Sequence, residues 1–127
     1  NVCTFAERHG IRKIVFTSSI APYGAAEELK EETTLPMPNT PYGISKLVAE
    51  KIHQTWQAGG EGRQLTIVRP GVVFGRGENG NFTRLYWGIR GHKFMYPGRK
   101  DTIKACIYVK ELVRWNCIIA ATSLPIR

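Results

Sequence analysis

The chain has 127 residues, 43% of them hydrophobic and 22% charged, and a formal net charge of +8 at pH 7. This length suits a single domain with a buried core, and no apolar run reaches the roughly 20 residues of a membrane-spanning helix. Three cysteines without metal-binding or CxxC spacing favour reduced thiols and a cytoplasmic protein over a disulfide framework. We therefore expect a protein that does not cross a membrane and holds no metal.

The positive charge is scattered along the chain. Basic residues occur in short groups such as "RK", "GRG" and "GRK" and do not form a stripe with interleaved aromatic residues. A nucleic-acid surface usually clusters them on one face. We predict no nucleic-acid partner; a small anionic ligand and a solvated basic surface both explain the charge, and a basic nucleic-acid-binding fragment is kept as an alternative class.

The first half of the chain predicts helix, strand, loop and helix in that order. "NVCTFAERHG" places Val2, Phe5 and Ala6 on one helical face and stops at Gly10, and "RKIVFTSS" is a short apolar run typical of a buried strand. The segment "IAPYGAAEELKEETTLPMPNT" predicts a long surface loop. "PYGISKLVAEKIHQTWQAGG" predicts a helix with Thr40 as N-cap, Pro41 in its first turn and a stop at Gly59-Gly60. Its apolar residues share one face: Ile44, Leu47, Val48, Ile52 and Trp56.

The second half continues the alternation. "RQLTIVRPGVVFG" predicts a second buried strand whose hydrogen bonding ends at Pro70. A helix over "NFTRLYWGIRG", a short strand over "KFMYPG", a strand over "DTIKACIYV" and a final helix over "KELVRWNCIIAAT" follow. Alternating strands and helices indicate an α/β fold with a mainly parallel sheet.

A tyrosine and a lysine lie four residues apart in "YGISK". On a helix, Tyr42 and Lys46 would be neighbours and could face one ligand. A free tyrosine titrates near 10, so acting as a base near neutrality requires its pKa to fall by roughly 3 units, about 4 kcal/mol. One cation usually supplies about 1–3 units, and a second positive charge such as an oxidised nicotinamide would complete the shift. Ser19, at the end of the first strand, lies where open parallel sheets bind ligands. A surface Tyr–Lys pair is the alternative for this spacing alone.

Four motifs together are more specific: "FTSS" ending a strand, "YG" shortly after it, "YGISK", and "VRPGVVFG" on the next strand. With them the sequence resembles the extended short-chain dehydrogenase/reductase family, the NAD-dependent epimerases and dehydratases that act on nucleotide sugars. The resemblance covers essentially all residues and corresponds to the middle and later part of such an enzyme. It implies an incomplete Rossmann-like α/β fold with flanking helices, whose glycine-rich first part would lie before Asn1.

The resemblance also implies a domain division and a site. Residues 1–75 would form the second half of the NAD(P)-binding domain, and residues 76–127 the start of the substrate-binding region with a returning strand and helix. Tyr42 would be the catalytic base, Lys46 would lower its pKa and hold the nicotinamide ribose, and Ser19 would position the substrate oxygen. The implied contacts to NAD or NADP are Thr17, Ser18, Tyr42, Lys46, Pro70, Gly71 and Val73. The implied substrate contacts are Ser19, Asn81, Arg84 and Lys104; for the two basic residues, a surface cation without a ligand is the alternative.

Two departures from the family pattern narrow the chemistry. Family dehydratases usually carry an Asp-Glu pair after the active-site Ser/Thr, and this chain has Ile20-Ala21, which disfavours dehydration. Many members that use nucleotide sugars carry an Asn where this chain has Val72. The literal GxGxxG of "GRGENG" at residues 75–80 lies beyond the YxxxK helix, so we interpret it as a loop near the substrate and not as a dinucleotide fingerprint.

The resulting hypothesis is an NAD(P)-dependent epimerase, or a reductase using the same residues, that acts on a nucleotide-linked sugar. Its full-length form is expected to be a cytoplasmic homodimer. The alternative is a non-catalytic dinucleotide-binding sensor or regulatory protein of the same fold, although the presence of Ser19, Tyr42 and Lys46 argues against it.

Overall fold

The computed structural model describes residues 1–25, 28–95 and 103–122, where helices and short strands alternate. In chain order the elements are α1 (Val2–Arg8), β1 (Lys13–Thr17), a 3₁₀ turn (Ala21–Tyr23), α2 (Pro41–Ala58), β2 (Gln64–Val68), β3 (Val72–Phe74), α3 (Asn81–Arg90), β4 (Cys106–Tyr108) and α4 (Val109–Ala121).

The strands pair in parallel, as the alternation predicted. β1 pairs with β2 in the register Lys13↔Gln64 to Thr17↔Val68. β3 pairs with β4 from Val72↔Cys106 to Phe74↔Tyr108. Each parallel pair needs a crossover, which α2 supplies for the first pair and α3 for the second. Within the described residues, the result is two small two-stranded parallel sheets, consistent with an incomplete α/β fold.

Three predicted strands change in the structure. The single strand expected over residues 63–75 is two strands, because β2 ends at Val68 and proline at position 70 has no N–H to donate. The strand expected over 93–98 is not formed at 93–95, and residues 96–98 lie outside the described part. The strand expected over 101–109 is confined to Cys106–Tyr108, with residues 101 and 102 also outside it.

The helix bounds agree well with the sequence signals. The side chain of Thr40 accepts a hydrogen bond from the Gly43 N–H at 3.0 Å, Pro41 opens α2, and Gly59 is its C-cap. α1 ends at Arg8, and Gly10 has a positive φ of 64°, which glycine adopts without strain.

The buried side of α2 is not the one that the apolar pattern indicated. Trp56 is buried and joins the core of Cys3, Ala6 and Ile14. However, three other members of the predicted apolar face are about half exposed: Ile44 at 50%, Val48 at 52% and Ile52 at 47%. The helix instead buries Gly43, Glu50 and His53. The pattern identified an apolar face, but packing against the sheet selected a different one.

Candidate active site

The carboxyl ends of β1 and β2 bring two predicted cofactor segments together. The Ser18 N–H donates to the Val68 carbonyl at 2.7 Å, and the Ile20 N–H donates to the Pro70 carbonyl at 3.2 Å. The segment after β1 therefore runs beside the segment after β2, at the edge where open parallel sheets bind ligands.

Ser19 lies at the start of the turn that contacts α2. Its Oγ accepts a hydrogen bond from the Ala21 N–H at 3.1 Å, so its own O–H remains free to donate to a ligand. A Cβ added at Gly43 would lie 2.7 Å from the Ala21 carbonyl oxygen. The absence of a side chain at Gly43 allows the turn to pack against the first turn of α2, next to Tyr42.

Tyr42 and Lys46 share the helix face that the spacing predicted. The Lys46 Nζ lies 5.9 Å from the Tyr42 ring centroid and donates to the Thr17 carbonyl at 3.2 Å. It also lies 5.3 Å from the Phe16 ring centroid. Among the described residues, the Nζ has no second hydrogen-bond acceptor, so two of its three donors are available for a ligand. Tyr42 is 56% exposed and open to such a ligand.

An asparagine that the sequence analysis did not single out supports this strand end. Asn116 of α4 donates from Nδ2 to the Thr17 Oγ1 at 3.1 Å. Its Oδ1 is buried without a hydrogen-bond partner in the described part of the chain. Thr17 thus links β1, α2 and α4. The contact joins residues 99 positions apart, and no local pattern marks it.

The segment 70–73 enters the second sheet through a close backbone contact. The Val72 N–H donates to the Ala105 carbonyl at 2.9 Å, and a Cβ added at Gly71 would lie 2.5 Å from the same oxygen. Val73 pairs with Ile107 inside β3. Pro70 and Gly71 therefore lie near the Ser19 turn, whereas Val73 lies further along the chain in the second sheet.

Besides Ser19, the predicted substrate residues lie on α3 or close to the second sheet. Asn81 opens α3, Arg84 follows one turn later, and Lys104 precedes β4 by two residues; all three side chains are exposed. In the described part of the chain, none of them hydrogen-bonds to Ser19, Tyr42 or Lys46. Their assignment to substrate stays a prediction.

The "GRGENG" loop has a carboxylate where a fingerprint would receive a phosphate. The Glu78 Oε2 accepts hydrogen bonds from the Thr83 N–H at 3.0 Å and from its hydroxyl at 2.9 Å. Desolvation raises the pKa of the Glu78 carboxyl, but the hydrogen bonds from Thr83 outweigh it and the pKa is lowered. Because the Glu78 carboxylate already accepts from the Thr83 amide at the start of α3, its negative charge lies at the helix end where a pyrophosphate would have to bind. This geometry supports the loop interpretation.

A cleft of about 580 Å³ lies beside this loop. Aromatic rings form much of its wall, with centroid distances of 5.0 Å between Phe74 and Phe82 and 5.6 Å between Phe74 and Tyr108. The lining of the cleft also includes Tyr86, Trp87 and Arg76. The cleft offers apolar and stacking contacts, and the charged residues of its lining are Arg76 and Glu78.

A buried ion pair lies one helical turn beyond Lys46, and the sequence analysis missed it. The Arg69 Nε and Nη2 donate to Glu50 Oε1 and Oε2 at 2.9 and 2.7 Å, and Nη1 donates to the Tyr23 hydroxyl. Glu50 is only 1% exposed. Its burial raises the pKa of the carboxyl, but the Arg69 hydrogen bonds and charge outweigh this and the pKa is lowered; the same pair raises the pKa of Arg69. The sequence signal for this pair is a glutamate four residues after Lys46, which places it on the same side of the helix.

Ser18 also faces this pair. Its side chain is 3% exposed, and its hydroxyl is near enough to Glu50 to help lower the pKa of that carboxyl without reaching hydrogen-bond geometry. A cofactor could therefore meet Ser18 through its backbone more readily than through its hydroxyl.

Comparison with known proteins identifies the family. Residues 1–124 match the profile of the NAD dependent epimerase/dehydratase family. The chain belongs to this family. The membership confirms the family predicted from the motifs, and the named relatives below are enzymes.

Two curated relatives have different named substrates. The N-acetyl-alpha-D-glucosaminyl-diphospho-ditrans,octacis-undecaprenol 4-epimerase of Escherichia coli O157:H7 is 38% identical over 117 residues, which is 91% of this chain and 35% of the relative. The 3 beta-hydroxysteroid dehydrogenase/Delta 5-->4-isomerase of Mycobacterium tuberculosis (strain ATCC 25618 / H37Rv) is 28% identical over 130 residues, 98% of this chain and 35% of the relative. The chain thus spans about a third of the length of these relatives.

Solved structures confirm the Rossmann-like α/β fold. MoeE5 in complex with UDP-glucose and NAD aligns with a TM-score of 0.76 and 26% identity, over 95% of this chain and 42% of that one. The NAD-dependent NDP-hexosamine 5,6-dehydratase TunA, with a TM-score of 0.80 and 24% identity over 98% of this chain and 42% of that one, shows likeness of fold alone.

Proposed function

We propose that this chain forms part of an NAD-dependent epimerase of a nucleotide-linked sugar, with Tyr42 as the general base. The supporting observation is the shared face of Tyr42 and Lys46 above the carboxyl end of β1, where the Lys46 Nζ is fixed by the Thr17 carbonyl at 3.2 Å. Simple reduction of a keto sugar would use the same residues.

Each residue has a defined task in this proposal. The free O–H of Ser19 donates to the sugar oxygen, and Tyr42 takes the proton from that oxygen. The Lys46 ammonium stabilises the phenolate and offers its remaining donors to ribose hydroxyls. A bound NAD would supply the reversible hydride acceptor that inversion of the centre requires, and Tyr42 would give its proton back to the sugar oxygen.

The residues present fit the nicotinamide half of NAD. Lys46 has two spare donors, Thr17 is half-buried beside it, and Pro70 and Gly71 pass close to the Ser19 turn. The sequence has one GxGxxG, at residues 75–80, and there the Glu78 carboxylate accepts a hydrogen bond from the helix amide that a pyrophosphate would need. A glycine-rich turn that would hold the pyrophosphate is therefore not among these residues. We therefore assign this chain the catalytic half of the cofactor site.

A lipid-linked sugar diphosphate is the second candidate substrate. The E. coli relative is named for a sugar on undecaprenyl diphosphate. Val72 replaces the asparagine of many nucleotide-sugar members, and the cleft beside α3 is largely aromatic. Both candidates carry a hexose on a diphosphate, and they differ in the group beyond it.

The decisive experiment measures turnover by the full-length protein. UDP-N-acetylglucosamine and undecaprenyl-diphosphate-linked N-acetylglucosamine are offered with NAD to the unaltered protein and to Tyr42→Phe, Lys46→Ala and Lys110→Ala variants. We expect kcat to fall by about 100-fold or more for Tyr42→Phe, because a positioned acid–base group typically contributes that much. Lys46→Ala should lose activity and NAD affinity together. Lys110→Ala, which changes an exposed lysine of α4, is the matched control.

The outcomes separate the hypotheses. The substrate with the higher turnover decides whether the sugar is carried on a nucleotide or on a lipid. NAD binding without turnover of either donor would favour the non-catalytic sensor, and full activity of Tyr42→Phe would contradict the assigned base.

We also propose a homodimeric full-length protein in the cytoplasm. The half-exposed apolar residues Ile44, Val48 and Ile52 of α2 support a second copy as their partner. The three cysteines are free thiols, in keeping with a reducing compartment. Among the described helices, none has the length and apolar character required to span a bilayer.

A further inference from the structure

Three separate segments of the proposed site meet at one buried ion pair. We propose that Glu50, Arg69 and Tyr23, here called the positioning network, set the place of Ser19 relative to Tyr42 and are positioning residues for catalysis. The inference rests on the proposed function, since it concerns how that site is held together.

The network begins on the catalytic helix. Tyr42, Lys46 and Glu50 follow one another at four-residue spacing, so all three lie along one side of α2. The first two carry the proposed chemistry, and the third is the largest fully buried side chain of the described residues. The helix face that holds the reacting groups is thereby tied directly to Arg69.

Arg69 connects this helix to both loops of the site. Its two bonds to Glu50 are bidentate, which fixes the orientation of the guanidinium plane as well as its position. The remaining Nη1 donates to the Tyr23 hydroxyl, and the guanidinium carbon lies 4.9 Å from the Tyr23 ring centroid. Arg69 directly precedes Pro70, so the same residue anchors the proposed nicotinamide loop.

Backbone hydrogen bonds connect Tyr23 and Pro70 through the turn that follows Ser19. The Tyr23 N–H donates to the Ile20 carbonyl at 3.0 Å, and the Ile20 N–H donates to the Pro70 carbonyl at 3.2 Å. Ser19 lies between the end of β1 and this turn. A shift of Tyr23 would therefore move the turn that begins at Ser19, while α2 keeps Tyr42 in place.

Stability alone is a weak reason for such a pair. Removing two charges from water is costly, and replacing a buried ion pair by apolar residues is often neutral or stabilising. Another Glu–Arg pair among the described residues places the Arg63 Nη1 3.1 Å from the Glu7 Oε1, but there the glutamate side chain is 49% exposed. That pair joins α1 to the segment before β2 and touches none of the proposed site residues, so it serves as an internal control.

The test compares Tyr23→Phe and Glu50→Gln with the control Glu7→Gln in the full-length protein. Tyr23→Phe keeps the ring and removes only the hydroxyl that accepts from Arg69. Steady-state kcat and KM are measured per folded molecule, and amide hydrogen exchange is followed by mass spectrometry across residues 19–24 and 69–73. We expect kcat to fall roughly tenfold in Tyr23→Phe with little change in KM, since small misplacements of reacting groups cost about this much or more. Exchange should quicken in these two segments and not in α1.

The outcomes are distinct from those of the proposed function. Unchanged kcat in Tyr23→Phe, or exchange that matches Glu7→Gln, overturns the positioning role even if Tyr42→Phe is inactive. If Glu50→Gln fails to fold, Tyr23→Phe alone decides. If the unaltered protein turns over neither substrate, the proposed function fails. The amide hydrogen exchange of residues 19–24 in Tyr23→Phe then still decides whether the positioning network holds the turn that follows Ser19.

Discussion

At the scale of single residues, the first turn of α2 has little free space around Gly43. A Cβ there would lie 2.7 Å from the Ala21 carbonyl oxygen and 3.1 Å from the Pro38 Cβ. We expect Gly43→Ala to destabilise the protein and to reduce any turnover, because the Ser19 turn must move away from Tyr42 to make room. Gly88→Ala on α3 is the control: its Cβ would meet Phe94 at 3.8 Å, an ordinary contact, and alanine favours a helix by up to about 1 kcal/mol. Urea unfolding measures the stability of both variants. A Gly43→Ala protein as stable as the unaltered one would contradict the close packing of the Ser19 turn against α2.

The lowered pKa of the Glu50 carboxyl should make the free energy of unfolding depend on pH. Its burial raises the pKa of the carboxyl, but the interactions with Arg69 outweigh this and lower it below the ordinary value of 4.5. A lowered pKa in the folded state adds stability that is present above pH 4.5 and is lost as the pH falls through the folded value. We expect the unfolding free energy of Glu50→Gln, measured in urea between neutral and acid pH, to fall less steeply in this acid range. Parallel curves would show that Glu50 is not the group responsible.

At the scale of elements, α2 depends on its N-cap. The Thr40 Oγ1 accepts from the Gly43 N–H at 3.0 Å, one of the first-turn amides that have no partner within the helix. We expect Thr40→Ala to lower the free energy of unfolding by about 1 kcal/mol, while Thr40→Ser retains most of it. Chemical denaturation distinguishes the two, and equal losses in both would show that the hydroxyl bond does not matter.

Element bounds illustrate which features can be predicted locally. Thr40, Pro41 and Gly59 mark the ends of α2 by their own chemistry, and the structure confirms them. The split between β2 and β3 followed from Pro70 only in part, since the separation into two pairings depends on β4. No strand forms at residues 93–95, the described part of that predicted strand, so a short apolar run is by itself a weak signal for a strand.

At the scale of the whole molecule, the half-exposed apolar face of α2 predicts self-association. Ile44, Val48 and Ile52 present an unpartnered apolar surface among the described residues. We expect Val48→Asp to shift the full-length protein from dimer to monomer in sedimentation velocity. Val113→Asp is the matched control, because Val113 of α4 is 54% exposed, close to the 52% of Val48. A monomeric unaltered protein, or equal dissociation by both changes, would contradict the predicted interface.

The sequence by itself determined the α/β class, most of the helix and strand positions, the family, and the shared face of Tyr42 and Lys46. These features depend on residue chemistry and on spacings of a few positions, which helical geometry converts directly into neighbours. Only the tertiary structure decided that Lys46 binds the Thr17 carbonyl, that Glu50 pairs with Arg69, that Glu78 caps α3, and which face of α2 is buried. Apart from the Glu78 cap, which depends on the local course of its loop, these contacts join residues far apart in the chain. Their identity therefore depends on how the elements pack, which no local pattern specifies.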